Sequence, residues 1–142
     1  MFRVKWLSIA STMADIGVTV YQDRGLQLAK AMNLCRRNET YYPSAAALLA
    51  VHSAIAYNDA VLIKLTGERS KTQDHSQAVS ALKRACGRAK IEPLGIGHLS
   101  RLLGAKTDIS YGDRHVDSQL ADAMCLAADR FEAWAERVIL SR

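Results

Sequence analysis

Between Pro43 and Gly67 the chain runs from Ser44 to Thr66 without a proline or a glycine, and no other feature limits its fold as much. Proline is tolerated in the first helical turn, where its missing N–H would have no partner anyway, and glycine suits the position just past a helix end. The stretch is rich in alanine and leucine and therefore predicts one long helix. Its stripe Leu48, His52, Ile55, Asp59 and Leu62 lies beside a second stripe of Leu49, Ala56, Ala60 and Ile63. A helix that is apolar over most of its circumference has to be surrounded by other helices. A lipid span is the competing environment, but His52, Asn58 and Asp59 are costly in hydrocarbon, so a buried core helix and no membrane are expected.

The remaining chain supplies the partners. Val18 to Arg37 carries Tyr21, Gly25, Leu28, Met32 and Cys35 at helical steps, although Val18-Thr-Val-Tyr also suits the start of a strand. Asp74 can cap a helix, with Gln77 three residues on and Val79, Leu82, Ala85 and Cys86 as its buried face; Gly87 loosens its end. Pro93 opens a shorter element, Leu94 to Leu103, which Gly104 closes, and Lys106 to Arg114 reads as an ordered loop. Asp117 caps a last helix, Ser118 to Leu140, striped with Leu120, Met124, Ala127, Phe131, Trp134 and Val138. These elements predict a single all-α domain over residues 1–142, a bundle of about five helices. Its expected core is Leu48, Ile55, Leu62, Leu82, Met124, Phe131 and Trp134.

Hydrophobic residues at 49% and charged ones at 23% are the balance of a packed protein, which excludes a disordered chain. Cys35, Cys86 and Cys125 are odd in number and far apart, so neither a disulfide framework nor a zinc site is expected. They suit a reducing cytoplasm as small buried hydrophobes. The apolar run after Arg3 and Lys5 is broken early by Ser8, Ser11 and Thr12, too soon for a signal peptide. His52, His75, His98 and His115 lack metal-ligand spacing, and no carboxylate–histidine pair at i, i+3 suggests a di-iron bundle, so no metal or cofactor is expected. His52 and Asp59, two turns apart on the central helix, read as a satisfied core network.

Charge is uneven. From Lys83 to Lys106, Lys83, Arg84, Arg88, Lys90, Arg101 and Lys106 face Glu92 alone, whereas from Asp108 to Glu136 acidic residues dominate. The basic block permits a phosphate-bearing partner without requiring one. Two segments carry groups suited to such a partner. In Arg69-Ser-Lys71-Thr-Gln-Asp-His75, a histidine can relay a proton near neutrality, an arginine can hold a phosphate and Lys71 can assist. In the segment of Lys106, Tyr111, Arg114 and His115, the tyrosine can stack on a base while the cations meet phosphate.

The helix bearing His52 and Tyr57-Asn-Asp-Ala-Val-Leu is followed by Gly67 and by Lys71-Thr-Gln-Asp-His75, which leads into Val79 and Leu82. With the Tyr111 to Arg114 segment before a long helix, this order resembles the HEPN family of prokaryotic helical domains over about Ser44 to Ile139. The resemblance implies a bundle of four or five helices that forms a homodimer. It also implies metal-independent ribonuclease activity through an Arg–x4-6–His motif, a spacing that Arg69 and His75 meet. The family's commoner motif has Asn or Asp after the arginine and lies on a helix later in the bundle, and here the sequence departs from it. Members without the motif act as nucleotide-binding domains or as partners of nucleotidyltransferases, often in toxin–antitoxin systems. A different class is a DNA-binding regulator, because His98-Leu-Ser-Arg-Leu-Leu-Gly104-Ala-Lys-Thr has the rhythm of a helix-turn-helix.

Overall fold

The computed structural model covers residues 2–37, 40–69 and 74–141, with the backbone only at residues 2–12, Thr40 and His75. The described residues form five helices: α1 (Phe2–Leu34), α2 (Pro43–Thr66), α3 (His75–Ala89), α4 (Ile96–Tyr111) and α5 (Ser118–Leu140). A two-residue ladder of β1 (Arg36–Arg37) and β2 (Thr40–Tyr41) closes the turn between α1 and α2, pairing Arg36 with Tyr41 and Arg37 with Thr40. The Tyr42 N–H donates to the Cys35 carbonyl at 2.9 Å beside it. The result is an all-α bundle built around α2, which touches all four other helices.

The predicted ends of α2 are the observed ones. Pro43 occupies its first turn, and Gly67 ends it at φ 85°, donating its N–H to the Ile63 carbonyl at 2.8 Å. By length and hydropathy α2 would span a membrane, but most of that stretch is enclosed by the bundle. Helix α5 starts where Asp117 accepts from the Leu120 N–H at 2.8 Å, and α3 where Asp74 accepts from the Ser76 N–H at 2.9 Å. Gly87 does not end α3, which runs to Ala89 and stops at Lys90 in the left-handed region (φ 57°).

Three expectations are corrected. Val18 to Tyr21 is helical, inside an α1 that begins far upstream of the expected start. Gly104 does not close a helix: α4 passes through it to Tyr111, so Lys106 to Tyr111 is helix and not loop. A continuous α4 also removes the turn that a helix-turn-helix needs at this position. A mid-helix glycine costs about 1 kcal/mol. Ala105 and Ile109, which lie beyond the glycine and pack against the core, offset that cost.

The third correction concerns the core. Leu62, Leu82, Met124, Phe131 and Trp134 are buried as expected, but Leu48 is 37% exposed and Ile55 is only half-buried. The reason lies in how α1 docks. A Cβ on Gly25 would stand 2.6 Å from the Tyr57 ring, so only glycine lets α1 approach α2 this closely. The buried Ser53 hydroxyl donates to the Gly25 carbonyl at 2.9 Å in the same contact. The side of α2 that carries Leu48, His52, Ile55 and Asp59 is left only partly covered, and these residues form the line where water reaches the central helix.

Candidate nucleic-acid interface

The N-terminal half of α2 and the last turn of α4 border an open cleft of about 330 Å³. It is lined by Ser44, Ala45, Leu48 and His52 from α2 and by Ile109, Ser110 and Tyr111 from α4. The unbroken α4 makes this geometry. Lys106 and Tyr111 are fixed on a rigid helix, with Tyr111 at its end and 88% exposed, a ring free on its faces. Half-buried Lys106 lies near His52. Partial burial, and secondarily the Lys106 ammonium, hold the His52 imidazole below its ordinary value although its outer edge reaches water. A neutral imidazole can accept a hydrogen bond or a proton.

Of the predicted nucleic-acid residues Tyr111 lines the cleft, whereas Lys106, a turn earlier on α4, lies near His52 without lining it. Arg114 and His115 lie beyond Gly112 in the exposed, non-helical link to α5 and do not line it. His52, read from sequence as part of a buried network with Asp59, belongs to the cleft instead. One signal pointed to this position: a polar residue within an apolar stripe on an otherwise apolar helix.

Arg69 is exposed in the link after α2, its guanidinium carbon 5.5 Å from the centroid of the Tyr21 ring on α1. Arg24, one turn beyond Tyr21, lies 4.8 Å from the same centroid. Half-buried Asp59 completes the group. Burial pushes its carboxyl up to about 6, against the pull of Arg69 and Arg24. Lys71 lies outside the described residues, and of His75 only the backbone is described, as the first residue of α3.

The raised carboxyl of Asp59 has a stability consequence. The folded chain holds this proton to a higher pH than the unfolded chain, whose ordinary value is 3.8, so stability falls as pH rises from there to about 6. Asp59→Asn is expected to stabilise the protein by about 1 kcal/mol at pH 7, a figure already discounted for solvent screening, with no gain below about pH 4. Urea melts at the two pH values check it. A gain of equal size at both would assign the effect to packing.

A third polar group is structural. The buried Tyr57 hydroxyl donates to Glu136 Oε1 at 2.9 Å and lies 3.3 Å from Glu132 Oε1, while Gln22 Nε2 donates to Glu136 Oε2 at 2.7 Å. Burial raises both the Tyr57 phenol and the Glu132 carboxyl. At the far end of α5 the Tyr41 hydroxyl donates to Asp122, which also pairs with Arg36 at 3.5 Å and so ties the hairpin to the bundle. Among the described residues no three His, Cys, Asp or Glu side chains converge on a point that could hold a metal ion. No known family model matches the chain, and no curated protein matches it either.

Proposed function

We propose that this bundle is a HEPN-like protein that binds single-stranded RNA or a nucleotide in the cleft between α2 and α4. The observation that carries this reading is the exposed Tyr111 ring and the His52 imidazole, from two helices, lining one open cleft, with Lys106 close to His52. Tyr111 stacks on a base, Lys106 meets a phosphate, and His52 accepts from a 2′-hydroxyl or a base edge. Fluorescence anisotropy with a labelled oligoadenylate of roughly six nucleotides tests it. Tyr111→Ala is expected to weaken binding roughly 5–150-fold, the value of one base–aromatic stack. If the variant binds as tightly as wild type, no base rests on this ring and the cleft reading fails.

A second reading, a metal-independent ribonuclease of the toxin–antitoxin kind, is favoured by the state of Arg69. Its guanidinium is exposed, rests over Tyr21 and forms no ion pair among the described residues. In that reading Arg69 clamps the scissile phosphate, and His75, at the start of the next helix, relays the proton.

The same proposal includes a homodimer. Met13, Ile16 and Val20 lie on one side of α1 at helical spacing and are 68%, 58% and 46% exposed, an apolar face that a second copy would cover. Light scattering at micromolar concentration is expected to report twice 15.6 kDa. A monomer would exclude the second copy and leave the face to a different protein, such as the nucleotidyltransferase-type partner that the family resemblance implies.

A further inference from the structure

The accessible line along α2 continues past His52. Asp59 stands seven residues further on, about 10 Å along the axis and on nearly the same side of the helix. Around it the structure gathers two guanidinium groups from different segments, Arg24 on α1 and Arg69 after α2, against the single ring of Tyr21. Their carbons can be no further apart than the sum of the two ring distances, 4.8 and 5.5 Å. Among the described residues the one ion pair is Arg36 with Asp122, so the N–H groups of Arg24 and Arg69 are not committed to a carboxylate.

We propose that Arg24 and Arg69 form a phosphate-binding pincer at the Asp59 end of this line. It is a second anchoring point for a strand held at Tyr111, which makes the ligand a single-stranded oligonucleotide and not a mononucleotide. The inference rests on the reading of the cleft as a nucleotide site. Each guanidinium presents a planar fork of donors that matches the oxygens of a phosphate, and stacking on Tyr21 holds both forks in place before the ligand arrives. Two guanidinium groups and an ionised Asp59 leave the cluster with one net positive charge. That charge complements the single negative charge of a phosphodiester inside a strand better than the double charge of a terminal phosphate. Tyr111 shares the cleft with Ser44, Ala45 and Leu48, and Asp59 stands at least eleven residues beyond them, about 16 Å or more along the axis, a span that a strand crosses and a mononucleotide does not.

The test compares adenosine monophosphate with a 2′-O-methylated oligoadenylate of roughly six nucleotides, which cannot be cleaved, at one ionic strength. Wild type is expected to bind the oligonucleotide roughly 10–100-fold more tightly than the monophosphate, the gain from one further set of charge-assisted hydrogen bonds. The Arg24→Gln/Arg69→Gln double variant, altered at two exposed side chains, is expected to lose that advantage while keeping the helical content of wild type by circular dichroism. A Lys30→Gln/Arg130→Gln variant, which removes the same charge at exposed positions of α1 and α5, is expected to retain it. Equal wild-type affinity for the two ligands overturns the pincer, and so does an oligonucleotide advantage that survives in the double variant. Binding of neither ligand is a different result: it overturns the cleft reading, and the pincer with it.

Discussion

Phe131→Ala is expected to cost about 3–5 kcal/mol of stability, the range for an aromatic ring removed from a core that cannot collapse. The ring is fully buried and 5.6 Å from the Trp134 ring, centroid to centroid. Trp134 cannot swing into the space, because its indole N–H donates to the Glu92 carbonyl at 3.2 Å and the backbone of Gly95 presses on its ring. A Cβ at Gly95 would lie 2.4 Å from Trp134 and 3.1 Å from Phe131, so that side of the cavity is already walled by main chain. Leu48→Ala, at a 37% exposed position, is the comparison and should cost less than about 1 kcal/mol. A Phe131 variant that loses no more than the Leu48 one would show that α4 and α5 do not grip the ring as described.

The ribonuclease reading carries the largest kinetic effect. Metal-free cleavage requires a 2′-hydroxyl to lose a proton while the phosphate gains charge, and a positioned proton relay contributes roughly 10²–10⁴-fold to such a step. Purified protein is expected to cleave single-stranded RNA in EDTA, and His75→Ala is expected to slow cleavage by that factor. Arg69→Ala removes the cation that meets the growing charge, a loss of similar size. Arg69→Ala should keep the helical content of wild type by circular dichroism, since Arg69 is exposed and, among the described residues, rests on the Tyr21 ring and near Asp59. Wild type and His75→Ala equally inert on RNA would leave the protein a binding module.

Much of the architecture was readable before any coordinates because its boundaries are set by local chemistry. Pro43 and Gly67 bracket α2, and the Asp117 and Asp74 side chains start α5 and α3, each through contacts within three residues. Gly104 misled because a glycine ends a helix only when nothing further along holds the helix together. Leu48 misled for a related reason: periodicity shows which side of a helix is apolar, not whether a neighbour covers that side. The site was legible in part by the same logic. Arg69, Lys106 and Tyr111 were flagged by residue type, but Tyr21 and Arg24 lie more than forty residues before Arg69. Their meeting depends on the approach of α1 to α2 at Gly25, a long-range contact that no local pattern announces.

The central position of α2 bears on how the chain is made. Helices α1 and α2 form a hairpin that can assemble as soon as both have left the ribosome, but α5, which also packs along α2, is the last of the five helices in the order. At translation speeds of 5–20 residues per second, the 74 residues from Thr66 to Leu140 take roughly 4–15 s to appear. During those seconds Ala46, Tyr57 and the other residues that later meet α5 lack that cover on the nascent chain. A helix apolar enough to resemble a lipid span is then open to chaperones, to membranes and to other unfinished copies of itself. The helix that every other helix packs on is thus also the bundle's exposed point during synthesis.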